Sequence, residues 1–355
     1  STLRIRLPDR ALVTDGAALQ VQDDNEQYTT LTVASQKHIG VNFTSAELTM
    51  QLDDFAERVL KPRISQLASS IDADVANSYK AVYSSVGTPG TTPSTSLVLL
   101  QAQQKLNENA AVMSPRYATV NPAANAGLVE GMKGLFNPTD TISRQFKNGM
   151  MGMGVLGFEE INMSQSIKQH TTGSWGTTIT VTTTVATEGQ ATLGISFTGS
   201  SKTWNVGDVF TIANVYAVNP QTRESTGSLQ QFTVTAAASG SSTATLSISP
   251  AIYTSANALA TVDSFPVATA AVTMLGSSAT QYAQNLVYHK DAITFATADL
   301  LLPQGVDMAS RQVHNGISMR VVRQYDINND RLPCRIDVLY GFSTIRPAMA
   351  CRIWG

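Results

Sequence analysis

The chain has 355 residues, of which 43% are hydrophobic and 14% charged, with a formal net charge of -2. That length suits two or three domains rather than one, and the charged fraction, against about a quarter in typical proteins, implies that part of the surface meets protein rather than water. The near-neutral balance excludes gripping nucleic-acid phosphates through a basic excess; no apolar run of about 18 residues marks a membrane span, and no signal-peptide pattern is seen at the start.

Leu3, Ile5 and Leu7 alternate with Arg4 and Arg6, so 2–7 reads as a strand, returned by a second strand over 28–34 carrying Leu31 and Val33. The polar stretch between them, with Asp9, Arg10, Asp15, Gly16, Asp23, Asp24 and Glu26, is too long for a tight turn. It is either a solvated loop or an arm that touches a neighbour. A chain that opens inside a strand also suggests that something upstream was cleaved, disordered or omitted.

From about 45 to 85, Leu52, Phe55, Val59, Leu60, Ile64, Leu67, Ile71, Val75, Tyr79 and Val82 recur at steps of three and four. They form one stripe of a long amphipathic helix. Pro62 lies inside it and predicts a bend or two collinear pieces. The Gly/Pro/Thr cluster at 86–93 ends it. Ser94 is the expected cap of a helix over 95–109 with Leu97, Leu100, Gln104 and Leu106 on its face. A short strand over 115–121 follows, and Pro122 opens another helix to about Gly134. The segment 149–157 is rich in Gly and Met and reads as adaptable packing; 158–164 reads as a strand.

After His170 the composition shifts. Residues 171–260 hold about 32 Ser plus Thr and only five charged residues, Glu188, Lys202, Asp208, Arg223 and Glu224. Strand signals at 177–185, 192–198, 209–215, 231–236 and 243–248 alternate with turn clusters. The pattern predicts a small all-β unit, a six-stranded barrel or sandwich, inserted between segments of mixed α/β texture. Strands are expected again at 285–288, 293–296, 317–324, 334–340 and 348–354, with a short helix over 297–302.

No Walker-type loop, G-x-S-x-G elbow, H-E-x-x-H or C-x-x-C is present, and no cofactor is expected. The four histidines are scattered. His289-Lys290-Asp291 suits a turn between strands better than half of an acid/base set. Glu159 and Glu160 on a strand point to opposite faces and cannot share a proton. Cys334 and Cys351 read as buried reduced thiols. Arg311, Arg320, Arg323, Arg331 and Arg335 read as ion-pairing residues, with nucleic-acid contact the lesser reading.

The stretch Cys334-Arg-Ile-Asp-Val-Leu-Tyr-Gly-Phe-Ser-Thr-Ile-Arg-Pro-Ala-Met-Ala350 resembles the end of the coat proteins of short-tailed phages of the Salmonella phage P-22 type. Those also end in a Cys-Arg-Ile strand, an aromatic-Gly turn and an Arg-Pro before the last strand, here Cys334, Arg335, Ile336, Tyr340, Gly341, Arg346 and Pro347. Asn285-Leu-Val-Tyr-His-Lys-Asp-Ala-Ile293 and Val206-Gly-Asp-Val-Phe-Thr-Ile212 resemble a strand of that family's axial domain and a strand start of its inserted domain. The order of elements agrees over nearly the whole chain, while the letters are specific only over the last 25 or so residues.

The resemblance implies an α+β, Hong Kong 97-type phage capsid fold with an inserted all-β barrel. Its parts would be a hairpin with extended loop (1–44), a spine helix, peripheral domain and start of the axial domain (45–170), the inserted domain (171–266), and the rest of the axial domain (267–355). It implies a major capsid protein, not an enzyme, that self-assembles in hexamers and pentamers around double-stranded DNA without sequence-specific binding. Scaffolding and portal proteins, and in some systems a decoration protein, would be partners, with no membrane; assembly would take place in the bacterial host cytoplasm and the protein would reside in the virion. Subunit-interface candidates are Asp9, Arg10, Asp23, Asp24 and Glu26 on the extended loop, Arg223 and Glu224 on a loop expected to reach across local two-folds, and Arg346. The family carries an arm before the first strand that this sequence lacks. A secreted β-rich adhesin, favoured by the Ser/Thr-rich region, and a hydrolase assembled only in three dimensions are the rival readings; large hollow particles in negative stain separate the first reading from both.

Overall fold

The computed structural model describes residues 2–14, 16–19, 21, 26–44, 61–132 and 152–355. The expectations placed on Asp15, Asp23, Asp24, the 45–60 part of the long helix and Gly149–Met151 lie outside the described residues.

In chain order, the described elements begin with strands β1 (Thr2–Arg6), β2 (Tyr28–Thr32) and β3 (Ser35–Val41), then helix α1 (Lys61–Ala76). A 3-10 turn (Asn77–Ala81), β4 (Ser85–Val86), α2 (Ser96–Glu108), β5 (Arg116–Val120) and α3 (Pro122–Met132) follow. Next come β6 (Gly152–Val155), β7 (Phe158–Met163), β8 (Gln169–Thr171), β9 (Ile179–Val181), β10 (Gln190–Phe197), β11 (Lys202–Trp204) and β12 (Val209–Val218). They continue with β13 (Ser225–Ala236), β14 (Ala238–Gly240), β15 (Thr243–Ile252), β16 (Val272–Met274) and β17 (Gln281–His289). The chain closes with β18 (Ile293–Ala298), β19 (Met308–His314), β20 (Ile317–Arg323), β21 (Cys334–Thr344), a 3-10 turn (Pro347–Met349) and β22 (Ala350–Trp354).

Contacts divide the chain into two units. The first comprises Ser1–Leu7, Tyr28–Ala76 and Thr294–Ile345. In it, β1 and β2 form the expected antiparallel hairpin, Thr2 facing Thr32 and Arg6 facing Tyr28. A five-stranded sheet runs β18-β21-β20-β19, with β3 also paired to β21. One face of that sheet carries Ile336, Val338 and Tyr340, which pack with Leu67 and Ile71 of α1, so the expected stripe does meet the core. Tyr340 Oη donates to Asp74 Oδ2 at 2.6 Å, and Lys37 Nζ lies 2.6 Å from the same oxygen, tying helix to sheet. Burial first, then the hydrogen bond and charge of Asp74, push the Tyr340 phenol well above its ordinary range, so it stays a donor.

Among the described residues, four of the five arginines expected to pair do so in this unit. Arg320 and Arg335 each lie 2.5 Å from Asp337, whose side chain is fully buried, and Arg323 and Arg311 pair with Asp307 and Asp299. The helix expected over 297–302 is absent. Strand β18 runs to Ala298, with Thr297 Oγ1 donating to the Gly316 carbonyl. The non-helical stretch after it is held by Arg320, which donates to the Leu301 carbonyl at 2.6 Å. Tyr340 and Gly341 are not a turn either; both lie within β21. A Cβ on Gly341 would fall inside contact distance of the Thr32 carbonyl and 2.8 Å from Val33 Cα, so the glycine is needed where β2 crosses β21.

The second unit comprises Pro8–Gln27, Asn77–Ile293 and Arg346–Gly355. A mixed sheet runs β4-β22-β17-β5-β7-β6, with β8 also on β17. Its apolar face packs Ala118, Val120, Phe158, Ile161, Val287 and Ile353 against Leu99, Ala102 and Leu106 of α2 and Leu128 of α3. The helix expected to continue to 85 leaves α geometry at Ala76 for the 3-10 turn. Its next apolar residues, Tyr79 and Val82, join Leu286 and Ala350 instead. Ser94 is not the cap of α2: Thr95 holds that position with extended backbone and no side-chain bond. The expected face was also rotated, since Leu97 and Leu100 are exposed.

The Ser/Thr-rich region forms a six-stranded sheet in the order β16-β12-β13-β15-β10-β9. An isolated bridge between Thr180 and Ala271 links its two edges. The inner face holds Trp204, Phe210, Ile212, Phe232, Val234, Leu193, Ile195 and Leu246. Phe210 and Phe232 stand opposite in the register with ring centroids 5.7 Å apart, the aromatic pairing that stabilises adjacent strands. The start of β12 is buried on both faces, because Val209 turns outward onto Tyr282 and Trp354. Simple alternation therefore fails there.

Gly341→Ala is expected to lower stability by ~1–3 kcal/mol or more through overpacking, read as a fall in the calorimetric unfolding temperature. An unchanged temperature would contradict the close crossing of β2 and β21.

Candidate assembly surfaces and a buried polar junction

The surface candidates fall into three places. Asp9, Arg10 and Glu26 are exposed on the segment Pro8–Gln27. The same segment leaves Val13 90%, Leu19 90% and Val21 85% exposed.

Arg223 and Glu224 lie on the turn between β12 and β13. Arg223 adopts φ +63°, and the turn is closed by Arg223 N donating to the Asn219 carbonyl at 2.8 Å and Asn219 N to the Glu224 carbonyl at 3.0 Å. The Arg223 guanidinium donates to the carbonyls of Ser255 and Asn257, so it braces the turn on its own sheet, while Glu224 is exposed. Arg346 precedes the last 3-10 turn; its N–H donates to the Ala292 carbonyl at 3.2 Å and its guanidinium reaches Met349 Sδ at 3.9 Å. These candidates do not converge on one site.

The structure instead assembles a buried polar junction that sequence reasoning missed. Arg352 of β22 is fully buried. Its Nε donates to the Val82 carbonyl at 2.8 Å, Nη1 to the Gly207 carbonyl at 2.7 Å and Nη2 to Thr233 Oγ1 at 3.0 Å. The guanidinium also lies 5.7 Å from the Tyr79 ring and 5.9 Å from the Trp354 ring, within cation–π range. Desolvation pulls its pKa down to about 10, partly offset by Tyr79 and Asp208, so it keeps its charge at neutral pH. Each of its three nitrogens thus has an acceptor, which is what makes a buried cation tolerable.

Beside it, Asp208, also fully buried, accepts from His170 Nε2 at 2.8 Å, Asn205 N at 2.7 Å and Gly173 N at 3.1 Å. His170 Nδ1 lies 3.3 Å from Tyr79 Oη. Further along β13, the Gln231 amide completes the edge of β4, accepting from Ser85 N at 2.6 Å and donating to the Ser85 carbonyl at 3.0 Å. Thr233 Oγ1 donates to the Lys80 carbonyl at 3.2 Å. The outer face of the six-stranded sheet is thus fastened to the 3-10 turn, β4 and β22 mainly by side-chain-to-backbone bonds.

Cys334 and Cys351 are buried free thiols, and burial pushes Cys351 up to about 12, which makes it a poor nucleophile. Among the described residues, no group of three His, Cys, Asp or Glu is placed to hold a metal ion, and no helix is long and apolar enough to cross a membrane.

Comparison with solved structures bears on the fold. The chain superposes on a structure from Mycobacterium phage Che8 with a TM-score of 0.51 at 10% identity, over 99% of this chain and 84% of that one. The capsid of Ralstonia phage GP4 (TM-score 0.48, 8% identity, 100% and 82% covered) and the asymmetric unit of the mature capsid of bacteriophage PhiM1 (0.47, 13%, 99% and 81%) are similar at lower scores. The fold is the Hong Kong 97-type fold of phage capsid proteins, in a mixed α+β chain. The family model described as "P22 coat protein - gene protein 5" matches residues 14–355, and the chain belongs to that family. It is a major capsid protein, a structural protein of the virion that forms the icosahedral shell of a tailed bacteriophage. The adhesin reading has no support. Among curated protein sequences, none matches the chain.

Replacing Arg352 with Met leaves the Val82 and Gly207 carbonyls without their donors and Asp208 without its nearby cation. The expected cost is ~3–5 kcal/mol. It is measured by urea unfolding followed through tryptophan fluorescence, since Trp175, Trp204 and Trp354 all belong to the second unit. A loss below about 1 kcal/mol would contradict the junction's role.

Proposed function

We propose that this capsid subunit assembles in hexamers and pentamers, with residues 8–27 as an arm that laps a neighbouring copy. The observation that carries this is the exposure of Val13, Leu19 and Val21 on a segment whose charges are otherwise acidic except for Arg10. Buried against a second copy, each apolar side chain contributes roughly 1.5–3 kcal/mol. The acidic groups Asp9, Asp15, Asp23, Asp24 and Glu26 steer the arm toward basic surface and fix its register. Many such modest contacts, repeated around closed rings, multiply into a stable shell.

The subunit encloses double-stranded DNA by walling it in, consistent with a net charge of -2 and with no need for base readout. Scaffolding and portal proteins are its partners during assembly in the host cytoplasm. The parts are a hairpin with its arm (1–44), a spine and peripheral part (45–170), the inserted domain (171–266, extended by β16) and the axial remainder (267–355). The edge-to-edge bridge between Thr180 and Ala271 supports reading the inserted sheet as a closed barrel. Arg223, braced on its own sheet, holds the turn that presents Glu224 to a copy across a local two-fold, and Arg346 is a further contact residue.

Deleting 8–27 is expected to leave a folded subunit with native circular dichroism and a yield of closed shells in electron micrographs reduced by roughly tenfold or more. Replacing Val13, Leu19 and Val21 together with Ser is expected to do the same without shortening the chain. Normal shells from both variants would remove the arm assignment while leaving the capsid identity intact.

A further inference from the structure

We propose that β17, β22 and the six-stranded sheet enclose a binding site for ordered water, held by the Gln284 amide and the Trp354 indole beside Arg352. Gln284 and Trp354 stand opposite each other in the antiparallel register of β17 and β22. Their side chains therefore leave the sheet on the same face, as near neighbours. Gln284 is 3% exposed and Trp354 0% exposed. Among the described residues, no group lies within hydrogen-bonding reach of Gln284 Oε1, Gln284 Nε2 or Trp354 Nε1. A buried polar atom without a partner costs more than a typical hydrogen bond contributes. Where several such atoms converge, interiors meet that cost with ordered water.

The neighbouring polar groups are committed elsewhere. Tyr282 lies two residues from Gln284 on the same face of β17. Its ring packs edge-on to Trp354 with centroids 5.7 Å apart, and its hydroxyl accepts from Ser277 N at 2.8 Å. His170, opposite Tyr282 in the register with β8, has one ring nitrogen engaged with Asp208 and the other with Tyr79. Val209 and Leu275 add apolar surface around Tyr282 and Trp354. Arg352 stands two residues before Trp354 on the same face of β22, its guanidinium carbon 5.9 Å from the Trp354 ring. Three of its five N–H bonds have acceptors in Val82, Gly207 and Thr233, and the other two are available to a water.

The donor and acceptor types select the ligand. The Trp354 indole N–H and the Gln284 Nε2 hydrogens only donate, while Gln284 Oε1 only accepts. A ligand that serves all three must both accept and donate, as water does. An anion could not donate to Oε1, a metal ion would find that oxygen as its one acceptor in the set, and an apolar ligand would leave all three atoms unpaired. Bound there, water accepts from Trp354 Nε1 and donates to Gln284 Oε1. It carries hydrogen bonding from β17 across to β22 at the end of the seam that Arg352 fastens, and it makes the two side chains act as one unit.

The test is a cryo-electron microscopy map of shells of the full chain, at a resolution that shows ordered water along β10 and β15. The expected result is a density peak about 2.7–3.2 Å from both Trp354 Nε1 and Gln284 Oε1. A Gln284 amide turned to accept directly from Trp354 Nε1, or a site without a peak, would overturn the proposal. Urea unfolding of the full-chain subunit gives a second readout. The midpoint loss of the double variant Gln284→Leu with Trp354→Phe is expected to fall clearly below the sum of the two single losses, because the second substitution removes a group that the first has already stranded. Strictly additive losses would equally overturn a shared water. If a variant does not fold, the map of the wild-type shell decides alone.

Discussion

A fully buried guanidinium is costly unless all around it is arranged to receive it, and Arg352 sets that requirement for this subunit. Its acceptors come from Val82, Gly207 and Thr233, far apart in sequence. They must be brought together before the charge can leave water. The strand that carries it, β22, is therefore placed by three distant parts of the chain at once. Wherever the six-stranded sheet goes, β22, β4 and the 3-10 turn go with it. A polar seam of this kind gives direction that apolar packing alone does not, because each donor has one acceptor in reach.

That rigidity has a purpose in a shell. A subunit that makes the same contacts many times needs a body that transmits geometry faithfully, and separate parts that yield to slightly different surroundings. The seam around Arg352, with Gln231 pairing to Ser85, supplies the first. In the proposed assembly the segment Pro8–Gln27, polar in charge yet bearing Val13, Leu19 and Val21 in the open, would supply the second. The low charged fraction of the whole chain agrees with a protein much of whose surface is destined for other copies.

The parts legible in the sequence were those governed by local rules. The hairpin, the stripe at Leu67 and Ile71, the strands of the Ser/Thr-rich region and the C-terminal strands all follow from periodicity. Four of the five arginines near the end were expected to pair from their charge alone, and they do, with Asp337, Asp307 and Asp299. One helical reading, over 297–302, failed, and another, α2, was right in extent but wrong in its buried face, both for local reasons. In α2, leucines crowd adjacent positions, and Leu99 rather than Leu97 or Leu100 turned out to face the core; at 297–302, a leucine-rich stretch is held extended by arginine contacts from neighbouring strands. The junction was not legible, since Arg352 and Val82 are 270 positions apart. A faint signal existed. Asp208 is one of five charged residues in a stretch of ninety and stands directly before an apolar strand, and a lone carboxylate there has a buried partner as its natural explanation.

The account depends on the arm of one subunit lying on another while the body around Arg352 stays intact. A cryo-electron microscopy map of shells assembled from this chain, at a resolution that shows side chains, tests it most directly. The account predicts continuous density for 8–27 on an adjacent copy, with Val13, Leu19 and Val21 covered and the Arg352 contacts in place. Density that folds this segment back onto its own subunit, with those three side chains still facing solvent, would contradict it.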